Sequence, residues 1–406
     1  MRRGTRSKFG DAVLSEKSRP VIEATLPLVA ERISHITPVF YQRMFAAHPE
    51  LLDGVFNRAN QSSGEQPQAL AGSIGVFATY LIQNPDALPE RMLARIAHRH
   101  TSLGITADQY QIVYDNLFSA IADDLAEVIT PEIAEAWTEV YWLMADALIS
   151  IERDLYASQA NDKMWMPWRV AEKRPAGADA ITFVLEPADE TPVTPALPGQ
   201  YVSVKVELED GLHQARQYSL MGDAGLSRVF TSKLDELGEV SPVLHNRIQV
   251  GDVLEISNPY GEVVLDDSEG PVILASAGIG CTPSASMLRA LVNAGSEREV
   301  LLLHADRSHD AWALSEQMRA DLSRLGTANA HVWLEDASTG HELAGVHKVR
   351  EGFMNLDDVE LPAQATMYLC GPMPFMKAIR NQAINAGVPA GSIHYEIFGP
   401  DSWLAD

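Results

Sequence analysis

The sequence predicts three folding patterns in one chain: an all-α region, an antiparallel β-barrel, and an α/β region on a parallel sheet. Three observations predict it. From about Lys17 to Ser158 apolar residues recur at helical spacing, with no convincing strand. From about Met164 to Asp267 the pattern alternates at period two, with Gly and Pro clustered between the runs. From Pro271 onward apolar strands alternate with helices, which implies a parallel sheet covered on both faces.

In the first region Leu26, Val29, Ala30 and Ile33 share a helix face, as do Ile112, Val113, Leu117, Ile121 and Leu125. A further stripe runs from Trp137 through Tyr141, Met144 and Leu148 to Leu155. Pro38, Pro49, Pro67, Pro85 and Pro131 are expected where helices start or stop, giving six or more helices. Ser158 to Lys163 is a short polar linker. Ile181–Leu185, Tyr201–Val206 and Val253–Ile256 read as barrel strands, and Val272–Ser276, Val300–Leu303 and Met367–Cys370 as parallel ones. Helices follow over Ala285–Ala294 and Phe375–Ala386. The expected domains are 1–158, 164–268 and 270–406.

A chain of 406 residues fits two to three domains. Its formal net charge of -24 argues against a nucleic-acid binder, which needs clustered Lys and Arg. Two cysteines exclude a disulfide framework and any four-cysteine cluster, and point to a reducing, cytoplasmic setting. Arg2, Arg3, Arg6 and Lys8 read as a solvated basic tail, a mitochondrial presequence being the lesser alternative. No stretch approaches the ~20 apolar residues of a membrane span.

Three motifs in the second half carry chemistry. Arg216-Gln217-Tyr218-Ser219 combines a cation for a phosphate, a ring for stacking and a hydroxyl for a polar edge. Alone it reads equally as a strand with an exposed Arg. Gly278-Ile-Gly280-Cys-Thr282-Pro283 follows a strand, where glycines let a pyrophosphate approach backbone amides. Pro283 stands where the last Gly of a full dinucleotide fingerprint would be, so a generic tight turn is the alternative. Cys370-Gly371-Pro372 ends an apolar strand, a place where ligands gather in open sheets or where a chain simply turns.

In this order and spacing the motifs resemble the ferredoxin-reductase family over about Met164 to Pro400. Pro198-Gly-Gln-Tyr201, Gly238-Glu-Val240-Ser241 and Pro259-Tyr-Gly261 match too. The resemblance implies that Arg216, Gln217, Tyr218 and Ser219 hold FAD with Tyr201 beside it. Gly238, Val240 and Ser241 are then at its pyrophosphate. Gly278, Gly280, Thr282 and Pro283 receive NADH or NADPH, and Cys370, Gly371 and Pro372 line the nicotinamide end. Phe398, in Tyr395-Glu-Ile-Phe-Gly-Pro400, covers the flavin. Asp306 favours a free ribose and Arg307 a phosphate, so coenzyme choice stays open.

The helical region contains Ile96-Ala-His-Arg-His100-Thr-Ser-Leu-Gly104 where a helix ends, then Asp108-Gln-Tyr110. One imidazole nitrogen can bind haem iron while the other donates a hydrogen bond. Together with Phe40-Tyr41-Gln-Arg-Met-Phe45, His48-Pro-Glu-Leu51, Phe56-Asn57 to Gln66, Trp137 and Glu152, this region resembles the globin of flavohaemoglobins over about Val21 to Tyr156. That resemblance implies haem b with His100 as proximal ligand, backed by Tyr110 and Glu152. Tyr41 and Gln66 lie on the distal side, Leu70 is an apolar wall and Phe56 packs on the haem. Pro67 leaves the aim of Gln66 open. Two positions depart from the family: Cys281 replaces a common Gln, and Ile397 a frequent Cys.

The resemblance implies nitric oxide dioxygenation. Electrons pass from NAD(P)H through FAD to haem, and NO and O2 become nitrate. The expected partners are those small molecules, with no nucleic acid, no transmembrane segment and a monomeric state. Alternatives are an oxygen-binding or sensing globin with a maintenance reductase, and a general flavin or alkyl-hydroperoxide reductase carrying a vestigial globin.

Overall fold

The structure, a computed structural model, describes residues 13–54, 56, 65–221, 226–338 and 343–399, the side chains of 65–69 and 71 excepted. The chain divides into two compact units, one holding the helices with residues 209–215, the other the remainder from Lys163 to Gly399.

The helical unit contains α1 (Ser18–Ala47), a 3-10 turn (Pro49–Leu52), α2 (Glu65–Gln83), α3 (Glu90–Leu103), α4 (Gln109–Asp124) and α5 (Pro131–Ala157). Ile22, Ile36, Phe40 and Met44 of α1 bury with Phe77, Leu93, Leu117 and Val140 in one core. Pro131 opens α5 as its pattern predicts, capped by the Thr130 hydroxyl, which accepts from the Ile133 amide at 3.3 Å. Pro38 departs from expectation. It and Pro27 lie inside α1, where each forfeits a backbone hydrogen bond. Burial of Ile36, Phe40, Tyr41 and Met44 around Pro38 offsets that loss, since packing rather than propensity decides most helices.

The second unit begins with β1 (Met166–Gly177), β2 (Ala180–Pro187), β3 (Tyr201–Glu207), β4 (His213–Ser219), β5 (Arg228–Lys233) and β6 (Val253–Ile256). Their order is β4-β3-β6-β1-β2-β5. An antiparallel bridge from Leu220 to Phe230 joins the two end strands and closes the barrel. Inward residues fill it, with Phe183 stacked on Phe230 at 5.0 Å beside Trp168, Val202 and Ile256.

A parallel sheet follows: β7 (Val272–Ala277), β8 (Val300–Ser308), β9 (Ala328–Asp336), β10 (Lys348–Glu351), β11 (Thr366–Cys370) and β12 (Ile393–Glu396), ordered β10-β9-β8-β7-β11-β12. The helices are α6 (Cys281–Asn293), α7 (Ser315–Leu322) and α8 (Met373–Asn385). The chain builds outward from β7 in one direction, then restarts on its other side with β11. The carboxyl ends of β7 and β11 therefore form the topological switch point where open sheets bind ligands.

Arg298 pins the segment entering β7. It donates to the Gly270 carbonyl at 2.6 Å and pairs with Asp266 at 2.9 Å. Burial would raise the Asp266 carboxyl. Hydrogen bonds from Thr366 and Ser268 and the Arg298 charge outweigh it and hold the group down to about 2. A depressed carboxylate contributes stability above its ordinary value near 3.8, lost as pH falls toward 2. Asp266→Asn is therefore expected to unfold at lower denaturant than the native chain at pH 7, with the gap closing between pH 4 and 2.

Candidate functional site

In the helical unit three helices converge on one carboxylate. His100 lies in the last turn of α3, which Gly104 ends at φ +78° with its amide on the His100 and Thr101 carbonyls. Tyr110 lies in the first turn of α4 and Glu152 on α5. Glu152 Oε1 is 2.9 Å from His100 Nδ1 and accepts the Tyr110 hydroxyl at 2.5 Å, and Tyr110 Oη is 2.9 Å from the same Nδ1. Glu152 is 3% exposed, so its charge needs these partners. Burial, followed by the Glu152 charge, raises the Tyr110 phenol far above its ordinary value, keeping it a donor. A carboxylate that can only accept fixes the imidazole proton on Nδ1 and leaves the Nε2 lone pair for a metal.

Two residues of this network escaped the sequence reading of the site. Tyr141 Oη donates to the Tyr110 carbonyl at 2.6 Å, and Tyr156 Oη to the Ile105 carbonyl at 2.7 Å. Tyr141 showed only as part of an apolar stripe, and no local pattern reveals a bond 31 residues away.

On α1, Tyr41 is buried in an aromatic group with Phe40 at 4.6 Å, Phe45 at 5.7 Å and Phe56 at 6.0 Å. The Phe56 carbonyl accepts from the Gln214 amide at 3.1 Å, and Leu70 of α2 packs on the same core. The Gln66 side chain and Asn57 lie outside the described residues.

In the barrel, β4 presents the Arg-Gln-Tyr-Ser motif. Arg216 approaches Glu239 at 4.0 Å, so the strand and the Gly238–Ser241 loop face each other. Gln217 donates to Ser203 Oγ at 3.0 Å, Tyr218 packs on Phe230 at 4.9 Å, and burial pushes its phenol up to about 12. Ser219 is 3% exposed and its hydroxyl has no hydrogen-bond partner among the described residues. A buried orphan hydroxyl beside Arg and Tyr is what a flavin's polar edge would satisfy. Val240 and Ser241 begin a short helical turn, with Ser241 Oγ accepting the Asp235 amide at 3.0 Å. Tyr201 of β3 is buried under Gly261, where a Cβ would stand 3.2 Å from its ring.

The two sheet motifs meet at the switch point. A Cβ on Gly280 would lie 2.5 Å from the Cys370 carbonyl, so only glycine lets this turn touch the end of β11. Gly278, at φ +54°, faces open space. Thr282 Oγ donates to the Ile279 carbonyl at 3.1 Å, and Pro283 is buried in the first turn of α6. Gly371 abuts Phe375 and Ala277, and Pro372 precedes α8. Burial raises the Cys281 and Cys370 thiols, so neither is a nucleophile. Phe398 follows β12 and is 47% exposed, while Pro400 lies outside the described residues.

A helical globin, a flavin-type barrel and a switch-point dinucleotide cradle define an NAD(P)H-dependent oxidoreductase built from a globin and a ferredoxin-reductase-like module. The globin family model matches residues 39–148, and that of the oxidoreductase NAD-binding domain 274–381. The chain is 40% identical over 404 residues to the flavohemoprotein of Chromobacterium violaceum, covering 95% of this chain and 98% of the relative. It is 42% identical to a flavohemoglobin from Malassezia yamatoensis solved with bound FAD and heme, at TM-score 0.89, covering 95% of this chain and 100% of that one. The FAD/NAD-binding domain of a nitric oxide dioxygenase from Vibrio cholerae matches at 33% identity and TM-score 0.53, over 58% of this chain and 99% of that one. The chain belongs to the flavohaemoprotein family.

Gly280→Ala is expected to weaken NADH binding roughly tenfold or more, because the turn must leave Cys370. Anaerobic titration of the purified protein with NADH measures this, and unchanged affinity would mean that the close approach does not shape the cradle.

Proposed function

We propose that this protein is a nitric oxide dioxygenase that uses haem b, FAD and NAD(P)H to turn NO and O2 into nitrate. Residues 1–158 form the haem domain, 164–268 the FAD barrel and 270–406 the dinucleotide domain. Flavin supplies the conversion from two-electron to one-electron transfer, and haem supplies the redox-active iron where NO and O2 combine.

The reading is carried by the Glu152–His100–Tyr110 contact. His100 would hold the haem iron through Nε2, while Glu152 accepts its other proton, holds the ring's tautomer and would make the imidazole a stronger donor. Oxygen storage does not call for so electron-rich a ligand, which favours the dioxygenase over a storage globin. Tyr41 offers a buried phenol among Phe40, Phe45 and Phe56 that would donate a hydrogen bond to an oxygen ligand on the distal side. Gln66 is assigned a supporting distal role from its sequence position, Leu70 would form an apolar wall, and Phe56 would pack on the haem.

In the reductase Arg216 would neutralise a flavin phosphate, Gln217 and Ser219 would hydrogen-bond the ring, Tyr218 and Tyr201 would stack on the cofactor, and Phe398 would cover it. The loop of Gly238, Val240 and Ser241 binds the pyrophosphate. Gly278, Gly280, Thr282 and Pro283 shape the dinucleotide turn, and Cys370, Gly371 and Pro372 the nicotinamide end. NO and O2 are small and neutral, so diffusion suffices for entry.

The purified protein is expected to show haem and flavin absorbance and to consume NO aerobically with NADH. His100→Ala should lose haem while keeping FAD, and Arg216→Ala the reverse. Tyr41→Phe should slow NO consumption roughly tenfold or more with haem retained. Full haem content in His100→Ala would displace the ligand assignment, and NADH oxidation indifferent to NO would favour a general flavin reductase.

A further inference from the structure

The end of β8 carries Arg307, the end of β5 carries Lys233, and one carboxylate, Asp179, holds both. Asp179 sits in the turn between β1 and β2, which is docked firmly beyond β8. The Ala178 amide donates to the Asp310 carbonyl at 2.9 Å, and a Cβ on Gly177 would stand 3.3 Å from Ala313. Asp179 Oδ2 lies 3.0 Å from the Arg307 guanidinium and 3.4 Å from Lys233 Nζ. Arg307, the residue that would favour a phosphate, is 64% exposed, yet it folds back onto this carboxylate.

Asp306, the acidic residue expected to receive a ribose hydroxyl, is turned inward. Its Oδ1 accepts the Arg307 amide at 2.8 Å, and its Oδ2 lies 3.4 Å from His304 Nε2 inside the sheet. Asp310 adds a third carboxylate 3.5 Å from His309. Two carboxylates, Asp179 and Asp306, thus stand beside the two cations, and Asp310 is paired with His309. In an open α/β sheet the adenosine ribose lies at the end of the strand after the glycine turn, and an Arg there accommodates a 2′-phosphate. A phosphate monoester brings nearly two negative charges, and here it would meet no surplus of positive charge.

We propose that Asp179 sets coenzyme choice: by holding Arg307 and Lys233 it denies a 2′-phosphate its partners and biases the site toward NADH. The inference rests on the dinucleotide site proposed above and names the residue that tunes it. Asp179 is a positioning residue, acting through Arg307 and Lys233. Removing its charge releases both to a phosphate, where one charge-assisted contact is worth roughly tenfold in affinity.

The test is calorimetric titration of the full-length holoprotein with 5′-AMP and with 2′,5′-ADP, which differ only in the 2′-phosphate. The native chain should bind 2′,5′-ADP no tighter than 5′-AMP. Asp179→Asn should tighten 2′,5′-ADP roughly tenfold with 5′-AMP unchanged, and adding Arg307→Ala should erase most of the gain. Arg307→Ala alone should alter neither affinity, a readout that does not depend on how Asp179→Asn folds. A native preference for 2′,5′-ADP, an unchanged ratio in Asp179→Asn, or weakened 2′,5′-ADP binding in Arg307→Ala would each overturn the proposal with the site intact. Failure of the native chain to bind either nucleotide would overturn the site's placement, and the proposal with it.

Discussion

The helical unit's chemistry depends on one buried oxygen. Glu152 Oε1 receives both the His100 ring and the Tyr110 hydroxyl, and those three side chains come from three different helices. Removing one partner of such a buried pair typically costs about 3–5 kcal/mol, because the remaining charge is left without compensation. The contact therefore organises the fold as well as the imidazole. It fixes the roll of α3 relative to α5, the tautomer of His100, and the place where α4 begins. Tyr141 and Tyr156 extend the constraint by tying down the Tyr110 carbonyl in the first turn of α4 and the Ile105 carbonyl in the loop before it.

The reductase unit solves a different problem with less charge and more absence of atoms. Its two sheet motifs lie about ninety residues apart in sequence, and missing side chains bring them together. Gly280 lets the turn after β7 reach the Cys370 carbonyl, and Gly371 clears Phe375. The barrel works alike, since Gly261 admits the Tyr201 ring. Binding surfaces for flat rings and phosphates need exposed backbone and close approach, which glycine alone supplies without steric cost.

These differences explain what could be read from the sequence. Val272–Ser276 and Met367–Cys370 are buried on both faces, so they appear as unbroken apolar runs and were legible as parallel strands. The ligand candidate His100 and its supporting residues Tyr110 and Glu152 were legible through family resemblance, and the structure brings the three side chains together. The strand Ala328–Asp336 was missed because Asn329, His331, Glu335 and Asp336 dilute its apolar pattern. Pro38 misled because proline's local cost is visible in sequence, whereas the packing that overrides it is not. Asp179 left no signal at all. It gains meaning only from cations 54 and 128 residues away in the chain.

A second histidine shows why residue type alone does not make a site. His304 of β8 stands between Ser276 Oγ at 2.9 Å and Asp306 at 3.4 Å, the same Ser–His–Asp composition that hydrolases use. Its ring is fully enclosed and stacked on Trp312 at 4.8 Å, and Ser276 is equally enclosed, so no substrate reaches either. Burial also lowers the His304 pKa and favours the neutral ring, against the pull of Asp306. The row thus bridges the ends of β7 and β8 and supports the glycine turn from beneath. His100 has the same kind of partner, a buried carboxylate, but its side chain remains 33% exposed. An imidazole can hold a metal only where its second ring nitrogen is reachable, a condition that the enclosure of His304 excludes and the exposure of His100 allows. Glu152 secures that access by engaging the first.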